Sequence, residues 1–182
     1  MAVSFGLFEF AGVPRTATTW IRNAAVLAGL KENGRTVVHV PHAPGPSDVP
    51  RLTVVRHPCS WLQSYWSAIY PGFIGVDVFD DLRKTYLSPD GFDGTVRQYL
   101  SRCPGWIGRM FAAYGGDVVI RVEDLPWSFV EFLESVGVER NARERCLTMQ
   151  PMNGSKILPQ WNKSLFDRVV EAEADFVRTY EY

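Results

Sequence analysis

Apolar positions fall into short β-favouring runs that alternate with helical stripes. Residues 4–10 form one such run and lead into Ala11-Gly12-Val13-Pro14, which predicts a buried strand ending in a tight loop. From residue 18 to about 31, Ile21, Ala24, Ala25 and Ala28 recur at helical spacing, and Gly34 supplies a stop after Lys31 and Asn33. Residues 36–40 predict a second strand, and the four prolines of residues 41–50 predict a loop. Residues 52–56 predict a third strand, broken at His57-Pro58. Trp61, Leu62, Tyr65, Trp66 and Ile69 then mark one face of a helix. Residues 71–94 are rich in Gly, Pro and Asp and show little periodicity, so they read as an excursion, followed by short helices at 95–102 and 106–114. A fourth strand is expected at 118–122 and a helix at 126–136, with Pro at its first turn. A loop at 150–160 precedes a last helix over 164–180, on which Leu165, Val169, Ala172, Phe176 and Tyr180 share a face.

Strands alternating with helices predict an α/β protein of three layers, α/β/α, with a central parallel sheet covered on both faces. Ligands then sit at the carboxyl ends of its strands. The 182 residues fit one domain over 1–182, with residues 71–116 as the segment that builds a substrate pocket. Its aromatic residues Tyr70, Phe73, Tyr86, Phe92 and Trp106 suit either a ring-containing acceptor or the packing of a lid. No apolar run approaches the roughly 20 residues that cross a bilayer, and the first ten residues lack the basic and long apolar regions of a signal peptide. A cytoplasmic protein without a membrane partner is expected. The formal charge of −1 supplies no overall field for nucleic acid, so an anion site must be local. Cys59, Cys103 and Cys146 are odd in number and lack metal-ligand spacing, which predicts reduced structural thiols and no metal.

The chemistry concentrates after the first strand, in Pro14-Arg15-Thr16-Ala17-Thr18-Thr19-Trp20. Small residues, hydroxyls and one cation meet a helix N-terminus there, where unbonded N–H groups and the positive end of the helix dipole favour oxyanions. An ordinary Thr-capped helix fits the same features. A Walker A loop is not present, because Ala17 and Thr18 stand where its second glycine and its lysine belong. At the end of the third strand, Arg56 is followed eight residues later by Ser64 on the next helix, a spacing that lets both reach one anion. A surface ion pair for Arg56 and plain packing for Ser64 is the alternative.

These two segments resemble the sulfotransferases that use 3′-phosphoadenosine-5′-phosphosulfate (PAPS). Residues 14–20 are similar to the family's 5′-phosphosulfate loop, P-[KR]-[ST]-G-T-T-W, in every position except Ala17 for Gly, where glycine more easily takes a positive φ. The stretch from Arg56 to Tyr65 is similar to the family's 3′-phosphate segment, and Ile120-Arg121-Val122-Glu123-Asp124-Leu125 to its (R/Y)xEDL strand end. The resemblance implies a P-loop NTPase-like fold that binds PAPS through Arg15, Thr16, Ala17, Thr18, Thr19, Trp20, Arg56 and Ser64. It gives Trp20 the role of stacking the adenine, against core packing as its rival, and makes Glu123 and Asp124 structural, buried or hinge-stabilising. Asn153-Gly154-Ser155-Lys156 is similar to the family's cofactor-covering loop, which implies that Ser155 and Lys156 close over the 3′-phosphate unless they belong to a solvated loop.

Sulfuryl transfer needs a cation against the leaving phosphate and a base for the acceptor's proton. Arg15 fits the first. For the second, His39 and His42 flank Pro41 in the region where the resemblance puts the base, with His42 slightly preferred and two exposed loop histidines as the alternative; His57 reads as a structural neighbour of Arg56. The implied activity moves a sulfuryl group from PAPS to a hydroxyl or amine of a small-molecule or glycan acceptor. Two other classes stay open: a P-loop kinase acting on a small molecule, and a non-catalytic nucleotide-binding protein of the same fold. Neither the acceptor nor the oligomeric state is legible.

Overall fold

The computed structural model describes residues 2–36, 47–69, 88–150 and 158–182. The chain divides into two compact units, residues 1–56 with 111–154 and residues 57–110 with 155–182. Among the described residues no helix is long and apolar enough to cross a membrane.

The first unit holds a five-stranded sheet of order β3-β1-β2-β4-β5, formed by β1 (Ala2–Ser4), β2 (Glu9–Ala11), β3 (Asn33–Thr36), β4 (Arg51–Val55) and β5 (Val118–Arg121). The expected α/β character is present, but the sheet is mixed and not parallel throughout. β2, β4 and β5 run parallel, while β1 is antiparallel to both β2 and β3. The reason lies in the first apolar run. Residues 4–10 are not one strand: Phe5 N–H donates to the Phe8 carbonyl (2.9 Å) and Gly6 takes φ 79°, so the chain turns back on itself. Two strands joined by so short a turn can pair only antiparallel. The turn's aromatics stay in the core, with Phe5 stacked on Phe8 at 5.0 Å and Phe8 edge-on to Phe132 at 4.9 Å.

Helix α1 (Thr18–Leu27) follows β2 and ends earlier than Gly34 predicts. Gly29, at φ 87°, is the stop: its N–H reaches the Val26 carbonyl and that of Leu30 reaches Ala25, the paired bonds that close a helix on a left-handed glycine. Gly34 instead belongs to β3, so the second strand begins before residue 36, and residues 37–40 lie outside the described residues. One face of the sheet presents Phe10, Leu52, Val54 and Ile120 to α1 (Trp20, Ile21, Ala24, Ala25) and to a later helix carrying Phe129, Phe132 and Leu133. Each of the larger aliphatic and phenyl side chains among them, fully buried, contributes about 1.5–3 kcal/mol. A part-buried ion pair from Arg51 to Glu9 (2.9 Å) ties β4 to β2.

The remaining helices are α2 (Pro58–Ile69), α3 (Gly91–Arg102), α4 (Trp106–Tyr114), α5 (Trp127–Ser135), α6 (Arg140–Glu144), α7 (Lys163–Ala172) and α8 (Ala174–Thr179). The spans expected for α2, α3, α4 and α5 differ from these only near their ends. In the second unit, α2, α3 and α7 pack on one another, with Phe92 of α3 set edge-on to Trp66 of α2 and to Trp161 just before α7, while Trp61 and Tyr65 stack along α2 itself. The last helix is not continuous. It breaks at Glu173 (φ −110°, ψ 22°), whose buried carboxylate accepts from Ile107 N–H (3.0 Å), Gly108 N–H (2.8 Å) and the Tyr99 hydroxyl. The N–H groups in the first turn of α4 have no partner within that helix, and Glu173 leaves its own helix to meet two of them.

Candidate functional site

β2 and β4 are parallel neighbours in register from Glu9↔Arg51 to Ala11↔Thr53, so their carboxyl ends open side by side, about 4.8 Å apart. What leaves β2 is a tight loop. Gly12 permits it, because a methyl group there would meet Thr18 Cγ2 at 2.8 Å and Phe10 Cε1 at 3.2 Å. Two hydroxyls then converge on one carbonyl: Thr16 Oγ1 and Thr18 Oγ1 donate to Val13 O at 2.7 and 2.9 Å. Their protons are committed to the loop itself, so in this conformation neither hydroxyl donates to a ligand.

The backbone is left-handed at Arg15 (φ 67°) and at Ala17 (φ 55°, ψ 24°). Turns of this kind direct successive N–H groups toward one concavity suited to anions. Ala17 is the N-cap of α1, and the first helical bond runs from Ile21 N–H to its carbonyl at 3.0 Å. The side chain of Ala17 can cap nothing, and the first turn holds no acidic residue. Alanine thus occupies a left-handed conformation that glycine adopts more easily, at a cost of roughly 1–2 kcal/mol.

From the end of β4, Arg56 reaches this loop: its Nη1 donates to the Arg15 carbonyl at 3.2 Å. Burial, and after it the positive charge of Arg56, holds the Arg15 guanidinium below the usual arginine value. Two guanidinium groups are therefore kept within each other's field beside the positive end of a helix. A group perturbed by burial and by a charged neighbour at the end of a strand is a candidate for function.

The predicted site residues divide as follows. Arg15, Ala17 and Arg56 meet at the loop, Thr16 is buried in it, and Thr19 is exposed on the first helical turn. Trp20 requires a correction to its stacking role. It is 5% exposed and packs edge-on to Phe129 with ring centroids 5.7 Å apart, so neither face of the indole is open to a base, and its place is in the core. Ser64 lies on α2 in the second unit and is buried. His39, His42, Ser155 and Lys156 lie outside the described residues, as do Tyr70, Phe73 and Tyr86. Phe92 is a core residue of the second unit, and Trp106 packs against Trp61. Asp124 pairs with Arg121 through two oxygens (2.6 and 3.0 Å), a structural role, whereas Glu123 is exposed and not buried. His57 is held by protein groups: Nδ1 accepts from Cys59 N–H (3.2 Å), and the ring stacks on Phe166.

Burial pushes the Cys59 thiol up to about 12 and Cys146 to about 11, and neither suits nucleophilic work. What the residue pattern did not disclose is the bond from Arg56 to the Arg15 carbonyl and the role of Val13 O as a common acceptor. The spacing of 41 residues between the two arginines carries no such signal; only the parallel pairing of β2 with β4 creates it. Comparison with protein-family models, curated proteins and solved structures gives no match.

Proposed function

We propose that the chain is a sulfotransferase that binds PAPS at this loop, within a three-layer P-loop NTPase-like fold, and transfers the sulfuryl group to a hydroxyl or amine of a small-molecule or glycan acceptor. The observation that carries the reading is the convergence of Arg56 on the Arg15 loop at the uncapped N-terminus of α1. It is a donor-rich, doubly cationic place at the carboxyl ends of adjacent parallel strands, and it coincides with the two segments that resemble the family.

In the transfer, the bond between sulfur and the bridging phosphate oxygen breaks as the acceptor's oxygen or nitrogen bonds to sulfur. The acceptor's proton goes to a base, and 3′,5′-bisphosphoadenosine leaves with the negative charge. Arg15 and the N–H groups of the loop stabilise that charge, which grows as the bond lengthens. The base is His42 or His39, an assignment that rests on the sequence alone, as does a part for Ser64 in holding the 3′-phosphate.

Thermal unfolding with bisphosphoadenosine, compared with ATP and Mg²⁺, tests the binding step. A ligand at 100 times its Kd adds about 2.7 kcal/mol of stability. Stabilisation by ATP alone would replace this reading with a small-molecule kinase. Labelled PAPS with a panel of acceptors tests the transfer, and binding without transfer to any acceptor would leave a nucleotide-binding protein. Arg15→Ala is expected to remove a charge-assisted contact worth about 1.5–3 kcal/mol in kcat/KM.

A further inference from the structure

We infer that β5 is a docking edge for a second copy of this chain, whose own β5 pairs antiparallel with the first about a two-fold axis at Val119. The inference stands apart from the proposed function and needs no nucleotide.

β5 ends the sheet among the described residues, and the ladder shows which of its backbone groups point outward. Glu9 is paired with Arg51, and its N–H donates to the Pro50 carbonyl. In a parallel ladder a residue that bonds across does so to the two neighbours of its partner. Glu9 therefore bonds to Pro50 and Leu52, which turns Leu52 and Val54 of β4 toward β2. Arg51, Thr53 and Val55 are then turned toward β5, and the Arg51 carbonyl accepts Asp117 N–H at 2.9 Å. Thr53 is paired with Val119, so Thr53 bonds to Val118 and Ile120. The N–H and C=O of Val119 are directed away from the sheet.

A strand edge of this kind is a template for another strand unless something blunts it. The opposite edge of the sheet is blunted: β3 is Asn33-Gly34-Arg35-Thr36, polar throughout, and its register with β1 shifts between Val3 and Ser4. β5 differs on both counts. Val118-Val119-Ile120 is uncharged, the register with β4 is unbroken over four pairs, and Val119 is 37% exposed.

The occupant follows from the symmetry of the strand. Asp117 and Arg121 stand two residues to either side of Val119, so all three side chains belong to one face. In an antiparallel pair centred on Val119, each Asp117 falls opposite the Arg121 of the other copy, and the two Val119 residues exchange both backbone bonds. A slip of two residues in either direction sets a charged residue against Val119. A slip of one turns the outward groups of one strand toward groups already bonded to β4. Asp117 keeps its bond from Arg51 N–H (2.8 Å) and Arg121 its pair with Asp124; the charges select the register, and the backbone edge supplies the attraction. A strand that complements its own reversed copy in this way fits a second copy of the chain, and the pair closes on itself.

Sedimentation equilibrium of the chain from micromolar to millimolar concentration tests the pairing. The parent is expected to pass from one copy to two. Val119→Lys sets like charges directly opposite each other and should raise the dissociation constant about tenfold or more. A parent that stays single throughout, assemblies that grow beyond two copies, or a Val119→Lys variant that pairs as well as the parent would each overturn the proposal. Should Val119→Lys unfold, amide hydrogen exchange of the parent decides the matter without a substitution. The Val119 amide is expected to exchange freely in dilute protein and to become protected as the concentration rises, while Ile120, bonded to β4, stays protected at both. A Val119 amide indifferent to concentration would sink the pairing at this edge. Failure of bisphosphoadenosine to bind would leave the pairing untouched, so the two readings fall separately.

Discussion

The two units treat the start of a helix in opposite ways. The first turn of α4, which lies in the second unit, has two of its N–H groups met by the buried carboxylate of Glu173, which also takes the Tyr99 hydroxyl. α1 in the first unit starts at Ala17, with no side-chain cap and no acidic residue in its first turn, beside two arginines. Both places are electropositive. In the second, the chain's own anion satisfies them and the result is rigid structure; Glu173 interrupts the terminal helix to achieve it. In the first, no side chain caps the helix and Arg56 donates to the carbonyl of Arg15 in the loop before it. A helix N-terminus becomes a candidate site when its surroundings add donors where a purely structural helix would add an acceptor.

Removing the internal anion should have the largest effect. Glu173→Ala leaves two backbone donors and a buried hydroxyl without their acceptor, each at about 1–3 kcal/mol, so a total loss of roughly 3 kcal/mol or more is expected in urea unfolding. Glu173→Gln keeps one acceptor oxygen and should lose less. The Cys59 thiol, raised by burial first and by Glu173 next, should then move downward and react faster with an alkylating agent at alkaline pH. A loss below about 1 kcal/mol for Glu173→Ala would mean that α4 does not depend on its borrowed cap, and the contrast between the two helices would collapse.

Gly12→Ala comes next, and it acts on the other side of the comparison. The added methyl would lie 2.8 Å from Thr18 Cγ2, and Thr18 cannot swing away without giving up its bond to Val13 O. Overpacking of this kind costs about 1–3 kcal/mol. Because the strain falls on the loop that presents Arg15, oxyanion affinity should drop along with Tm. A variant with parent-like stability and affinity would show that the close approach of loop to helix is dispensable.

Much of the architecture was legible because it rests on local periodicity. The stripe of Ile21, Ala24 and Ala25 located α1, and the runs at 52–56 and 118–122 located β4 and β5 within a residue. Three features were not. The apolar run at 4–10 concealed a hairpin because its turn is lined by Phe5 and Phe8, which the core claims, leaving Gly6 as the sole turn signal. Glu173 sits within a stripe that continues through Phe176, so nothing in its spacing foretells a break, which arises from donors 65 and 66 residues away. Trp20 belongs to a motif that resembles a stacking position and also to the apolar face of α1, and packing against Phe129 decided between them. At the candidate site, the residue types were readable, but their convergence depends on strand pairing.

The smallest change probes the strain stored in the loop. Ala17 holds φ 55° without the freedom of glycine, and Ala17→Gly removes the clash of its Cβ with the neighbouring backbone. That gain is partly offset by the greater freedom glycine has in the unfolded chain, so a net stabilisation of about 0.5–1 kcal/mol is expected, read as a small rise in Tm. If the left-handed turn exists to aim N–H groups at an anion, the same substitution should leave affinity for bisphosphoadenosine within about twofold of the parent, since glycine keeps the turn. A fall in stability would show that Ala17 is not strained, and that the loop owes its shape to Arg56 and Val13 more than to the backbone at residue 17. Combining Ala17→Gly with Arg56→Gln then decides the matter. Additive effects mean that the two features act independently, whereas a larger loss than the sum means that Arg56 is what holds the turn in place.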